Sequence, residues 1–310
     1  MAATHTFALK NYLAPYAQLI RFDKPIGVVI IHFPYVVGSL YAACISTPKI
    51  PLQDIVHINF VLLCGTFFLR SWACAWNDIT DRDLDKLVER CKQRPMASGK
   101  ISVRNACLFT GFLWLVWLAL MQSLIPSSLA YTIPLTALAG AYPFTKRFTA
   151  YTPVFLGVTF AWGVFVGFAA TGIDILQLLL SSQESKATII VYAFQDLPDD
   201  TKAGIHSMAV RHQFHIRELL GVLGVVQVTV LLGLGRELGA GSWYSYIGPP
   251  LFNIAMLFRL ITTIDFGSPE QCRWWFGHGP LMAGNVMVAS LCIEYLGRID
   301  TDLWVSTGSF

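Results

Sequence analysis

What most constrains this chain is a recurrence of apolar stretches, each about 20 residues long, joined by short polar connections. A segment of that length and character crosses the hydrocarbon core of a bilayer as a helix, because lipid offers the backbone no hydrogen-bond partners. Eight clear spans run over 25–45, 54–76, 104–124, 126–143, 151–171, 218–235, 244–264 and 276–296. A further one, over 173–195, is split by Ser181, Ser182, Gln183, Glu184, Ser185 and Lys186, which are costly in lipid.

The charge distribution requires that interrupted span. With nine spans and the N-terminus inside, 16 of the 22 Lys and Arg residues fall on the inner side, as positive-inside orientation predicts. The outer side carries Lys49, Arg236 and Arg298, while Arg70, Lys186 and Arg259 lie within spans. Dropping the interrupted span scrambles this asymmetry. The expected fold is therefore all-α: a polytopic membrane protein of about nine transmembrane helices, forming a single integral domain over 1–310. Composition agrees, with 55% hydrophobic and 13% charged residues, against roughly 25% charged in a soluble domain.

The net charge of +3 is spread over the inner loops, with no basic run interleaved with exposed aromatics, so nucleic acid is not an expected partner. Seven cysteines are scattered mainly through apolar stretches without CxxC or Cys/His metal spacing, and reduced, packed thiols are expected. The N-terminal segment lacks both a cleavable secretory pattern and a long Arg-rich, acid-free amphipathic one. The expected location is an endomembrane such as the endoplasmic reticulum, with the long loops cytosolic. The lipid bilayer is the expected surrounding, and no obligate protein partner is evident.

Two inner loops hold most of the charge, and each opens with carboxylates where a span leaves the membrane. The first reads Asn77-Asp78-Ile79-Thr80-Asp81-Arg82-Asp83-Leu84-Asp85. If the helix continues, Asp78, Asp81 and Asp85 share one face. The second has Asp196 and Asp200 four apart, with Pro198 arguing for a first turn or a kink. Either cluster alone reads equally as a solvated helix end. Two on one membrane side point to a hard dication such as Mg2+, which takes carboxylate oxygens together with substrate phosphates.

A diphosphate held in this way also needs direct cationic partners to stabilise the leaving group. The candidates are Arg70, Lys92, Arg94, Lys146 and Lys202, with Tyr142 one turn before Lys146. Arg70 lies two helical turns deeper than Asn77, and an intramembrane arginine is a functional candidate by default. The loop cations read alternatively as positive-inside charge, and Tyr142 with Lys146 as an interfacial anchor pair. His206, His212 and His215 lack metal-ligand spacing and read as loop polar groups.

Together these residues resemble the UbiA-type intramembrane prenyltransferases, marked by NDxxDxxxD, a later DxxxD and an intervening YxxxK. Here the motifs stand as Asn77-Asp78-x-x-Asp81-x-x-x-Asp85, Asp196-x-x-x-Asp200 and Tyr142-x-x-x-Lys146. Further likenesses are Arg21-Phe22-Asp23-Lys24-Pro25-Ile26-Gly27, Arg94-Pro95-Met96-Ala97-Ser98-Gly99 and Lys202-Ala203-Gly204. The resemblance implies nine helices around a central cavity. It also implies that Asp78, Asp81, Asp85, Asp196 and Asp200 bind Mg2+ and an isoprenyl diphosphate, with Asn77 orienting one ion.

The likeness is greatest to fungal enzymes that farnesylate polyketide-derived phenolic acids in meroterpenoid pathways, and to 4-hydroxybenzoate polyprenyltransferases of ubiquinone biosynthesis. The short N-terminus favours the first group. The implied partners are therefore an isoprenyl diphosphate and an aromatic acceptor. Two departures stand out: Cys91 replaces a small hydroxyl residue, and the sixth span looks shortened before Tyr192-Ala193-Phe194-Gln195. A terpene cyclase sharing the ionisation step, and a cation-coupled transporter, are the alternatives.

Overall fold

The computed structural model describes residues 12–89, 91–124, 129–149, 151–174, 216–238, 243–265 and 268–307. Its elements are helices, with no strand among the described residues. We label them α1 (Ile26–Ile45), α2 (Leu52–Thr80), α3 (Arg82–Asp85), α4 (Val103–Leu124), α5 (Leu129–Thr145), α6 (Thr152–Ala170), α7 (Ile216–Glu237), α8 (Trp243–Thr263) and α9 (Pro269–Thr307). Residues 12–19 form a helix ahead of them. The expected spans correspond closely to the observed helices through α8. The last helix is longer than expected, because its polar, aromatic start (Gln271, Trp274, Trp275) extends an apolar core that hydropathy alone places later.

Among the described residues, four segments are long and apolar enough to cross a membrane: Ile26–Ile45, Leu52–Thr80, Val103–Ser123 and Glu270–Ile299. Shorter apolar helices run over Val154–Ala170, Leu220–Gly233 and Ile247–Thr263. The interrupted span over 173–195 lies outside the described residues beyond Asp174. Large apolar side chains such as Phe60, Phe112, Val225 and Phe258 point outward, the disposition of helices whose solvent is lipid.

Four helices form a closed ring, with α1 against α2, α2 against α5, α5 against α6 and α6 back against α1. Helix α4 backs α2 from outside, while α9 packs on α1 and continues through α8 to α7. In lipid the hydrophobic effect does not drive helices together, so they associate by close packing and by polar contacts between them. The α1/α6 seam shows the first. A Cβ at Gly38 would collide with the Val164 carbonyl oxygen, and one at Gly167 with that of Tyr35. One at Gly163 would stand 2.9 Å from the Tyr35 ring. Both helices begin just beyond residues bonded to the end of α2, Arg21 to Asp78 and Arg147 to the Thr80 carbonyl, so the two run parallel, and at these glycines their backbones nearly touch.

Polar contacts supply the second. Ser39 Oγ donates to Asn59 Oδ1 at 3.0 Å between α1 and α2, and Gln227 Nε2 donates to Asn253 Oδ1 at 3.1 Å between α7 and α8. Beyond the C-terminus of α1, Lys49 and Arg298 both donate to the Cys44 carbonyl, at 3.0 and 3.1 Å. Two cations thus meet the negative end of the helix. No disulfide joins the cysteines of the described residues.

Candidate active site

The ring encloses a cavity of about 320 Å³. Its interior is walled by Ile31 and Tyr35 of α1, Leu69 and Ala73 of α2, Leu135 and Ala139 of α5, and Leu156, Thr159 and Phe160 of α6. Its mouth carries Arg21, Asn77, Arg94, Tyr142 and Lys146, with Arg70 deeper along α2. One end is therefore ionic and the other apolar, which suits an amphiphile with an anionic head.

The carboxylates of the first motif lie behind this mouth, bonded to its cations and outside the cavity lining, and they do not share one continuous helix. Helix α2 stops at Thr80; Asp81 leaves it at φ −92°, ψ 7°, and α3 restarts at Arg82. Backbone bonds bridge the break, from Asp81 N to Asn77 O and from Asp85 N to Asp81 O, each 2.8 Å. The helical spacing thus survives a change of element. All three carboxylates are buried, with Asp78 0%, Asp81 3% and Asp85 6% exposed. Arg147 donates to the Thr80 carbonyl at 3.0 Å, satisfying the last turn of α2.

Buried carboxylates need partners, since an unpaired ion in a low-dielectric setting is costly. Each finds a cation. Arg21 grips Asp78 with both terminal nitrogens, at 2.7 and 3.0 Å, in the bidentate geometry that only a guanidinium provides. Arg94 Nη1 is shared between Asp85 at 2.8 Å and Asp78 at 3.3 Å. Lys146 Nζ donates to Asp81 Oδ2 at 2.9 Å and Asn77 Oδ1 at 3.1 Å, and lies 5.3 Å from the Tyr142 ring centre. This joins α5 to α2, as does the bond from Trp76 Nε1 to the Gly140 carbonyl at 3.0 Å.

Burial opposes the charge on Arg21, yet its pairing with Asp78 outweighs it and raises the guanidinium pKa above its ordinary value. For Asp85, burial pushes the carboxyl pKa up against the lowering pull of Arg94. Exposed Asp83 goes the other way, held down by Lys86 and Arg82.

The structure brings Asn77, Asp78, Asp81, Asp85, Arg94, Tyr142 and Lys146 together. Lys92 stands apart: it pairs with Glu89 at 2.5 Å on an exposed surface and does not line the cavity. Arg70 does line it, but its terminal nitrogens donate to main-chain carbonyls. Asp196, Asp200 and Lys202 lie outside the described residues. Arg21 is the site residue that sequence reasoning did not assign, although the Arg-Phe-Asp-Lys-Pro run entering α1 was visible.

Among the described residues no three His, Cys, Asp or Glu side chains are grouped so as to hold a metal ion by themselves. One atom nevertheless fits such an ion. Asp81 Oδ1 is buried and has no hydrogen-bond partner among the described residues. An orphaned carboxylate oxygen of this kind is a hard donor, suited to Mg2+.

Fold and site together define a class: a bundle of apolar helices around a cavity with an ionic mouth and a hydrocarbon-like interior. The chain belongs to the UbiA prenyltransferase family, which its residues 32–285 match. Similar proteins include the prenyltransferase ascA of Acremonium egyptiacum, 36% identical over 74% of this chain and 71% of that protein. A 4-hydroxybenzoate octaprenyltransferase of Methylococcus capsulatus is 33% identical over 93% of this chain and 97% of its own length. The DMOA farnesyltransferase nvfB of Aspergillus novofumigatus is 30% identical over 94% of both. A UbiA homologue of Archaeoglobus fulgidus, solved bound to GPP and Mg2+, shares the fold with a TM-score of 0.62 at 19% identity, over 91% of this chain and 99% of that one.

Proposed function

We propose that this protein transfers an isoprenyl group, farnesyl, from its diphosphate to an aromatic phenolic acid of polyketide origin, as a step of meroterpenoid biosynthesis. The observation that carries the reading is the cavity itself, an apolar chamber whose mouth holds Arg21, Arg94 and Lys146, each paired with a buried carboxylate behind it. The farnesyltransferase and prenyltransferase names of fungal relatives support the donor and the setting. The domain is a single integral one of nine spans in an endomembrane, with the charged loops cytosolic.

Asp78, Asp81 and Asp85, with Asp196 and Asp200 from the second motif, would hold Mg2+, and Asn77 would orient one ion. Bound there, Mg2+ supplies charge neutralisation to the diphosphate. Lys146, Arg94 and Arg21 present cations where negative charge grows as the C–O bond of the allylic diphosphate breaks. Leu69, Ala73, Leu135, Ala139, Leu156 and Phe160 exclude water from the resulting allylic cation. A ring carbon ortho to the acceptor's phenol attacks that cation, and loss of the ring proton restores aromaticity.

Full-length 4-hydroxybenzoate octaprenyltransferase relatives favour a second reading, in which 4-hydroxybenzoate is the acceptor. The experiment is incubation of membranes containing the protein with farnesyl diphosphate and Mg2+, with orsellinic-type acid, with 4-hydroxybenzoate or with neither, followed by mass spectrometry. A farnesylated orsellinic-type acid whose formation EDTA abolishes is the expected result. Prenylated 4-hydroxybenzoate alone selects the second reading. A cyclic terpene formed without acceptor replaces transfer with cyclisation, and cation flux in proteoliposomes without diphosphate replaces it with transport.

A further inference from the structure

Arg70 lies seven residues before Asn77 on α2, about 10 Å deeper along the helix axis, and is buried. No ion pair joins it to a carboxylate among the described residues. Its guanidinium instead gathers one short stretch of main chain. Nη2 donates to the Lys24 carbonyl at 2.9 Å, and Nη1 to those of Ile20 and Arg21 at 3.3 and 3.4 Å. These carbonyls belong to the turn that links the 12–19 helix to α1.

That turn is the place from which Arg21 reaches Asp78. Arg21 has φ +56°, and it is the one non-glycine residue with positive φ among the described residues. An L residue keeps such a backbone only where its surroundings hold it. The five N–H groups of a guanidinium form a rigid fork able to serve several acceptors at once, which an ammonium cannot reproduce in the same geometry. Space for the fork comes from Gly27. A Cβ there would stand 2.7 Å from Arg70 Nε and 2.8 Å from Nη2, so a side chain at position 27 must push the guanidinium away.

We propose that Arg70 is a positioning residue. Its guanidinium fastens the turn over residues 20–24 so that Arg21 stays locked on Asp78, and Gly27 leaves the room this requires. The activity arm of the test rests on the prenyl-transfer reading, whereas its exchange arm does not.

In the first arm, kcat and donor KM are measured for Arg21→Lys, Arg70→Lys, Gly27→Ala and the combinations of each of the latter two with Arg21→Lys. Arg70→Lys and Gly27→Ala should each lower kcat by about tenfold in the parent and by less than about twofold when Arg21 is already Lys, since residues acting through one unit are not additive. Effects that multiply in full would overturn the proposal and make Arg70 an independent contact. In the second arm, amide hydrogen exchange over residues 18–27 is measured on the purified full-length protein. Exchange about tenfold faster in both Arg70→Lys and Gly27→Ala is expected, and unchanged exchange overturns the proposal whether or not turnover is detected. If the parent yields no prenylated product while exchange responds as expected, the functional reading fails and the positioning role stands.

Discussion

Arg21 holds both oxygens of Asp78, at 2.7 and 3.0 Å, across 57 residues of sequence. The acceptor is fully buried, so removing the guanidinium leaves a carboxylate whose remaining partner, Arg94, is 3.3 Å away and shared with Asp85. Arg21→Ala should destabilise the protein by about 2 kcal/mol, below the 3–5 of a fully unpaired buried ion because Arg94 remains. Thermal unfolding in detergent measures this, and an unchanged midpoint would show the pair to be energetically idle. Asp78→Ala, which removes the acceptor itself, should abolish turnover.

Lys146 is the one described contact between the α5 side of the mouth and the Asn77/Asp81 oxygens. Lys146→Met keeps the stem and deletes the charge. The expected loss in kcat is about 10²-fold, the usual consequence of removing one donor aimed at developing negative charge. Retention of full activity would remove Lys146 from the leaving-group assignment.

Lys92 gives the opposite expectation. Its ammonium pairs with exposed Glu89 away from the cavity, and surface pairs contribute only about 0–1 kcal/mol. Lys92→Ala should change kcat by less than about twofold in the same assay that detects Lys146→Met. A large loss would place the ammonium in the site after all.

The α1/α6 seam makes a prediction about glycine. At Gly167 an added Cβ meets the Tyr35 carbonyl, a main-chain atom that cannot rotate aside, so Gly167→Ala should cost about 1–3 kcal/mol. At Gly111 on α4 nothing lies within 4 Å of such a carbon. There Ala should be neutral or stabilising by up to about 1 kcal/mol through helix propensity. Parallel melting curves of the two variants check both signs.

The helices were legible because lipid leaves the backbone few choices: 20 apolar residues in succession have to be a helix. The motif cluster was legible for a similar reason, since a spacing of three and four keeps Asp78, Asp81 and Asp85 together even across the break at Asp81. What escaped was tertiary. Positive-inside charge already accounted for Arg21, so nothing local pointed to a partner 57 residues away. Arg70 read as a candidate for the diphosphate because an intramembrane arginine is a functional candidate by default, and sequence does not reveal that carbonyls of the 20–24 turn accept its hydrogen bonds. The tight glycines of α1 and α6 carried no signal either, as glycine is common in membrane helices whether or not it lies in an interface.

The parallel seam between α1 and α6 also bears on how the chamber deforms. Two backbones in contact act as a stiff rib, because further approach meets carbonyl oxygens and separation forfeits dispersion contacts along the whole line. Tyr35, wedged against Gly163, belongs to that rib. Across the chamber, α2 and α5 touch less extensively and are tied by the Trp76 indole and the Lys146 ammonium. Any breathing that accommodates a bulky hydrocarbon tail is therefore borne by the compliant α2/α5 wall, and the rib serves as the fixed anvil against which the guest is pressed.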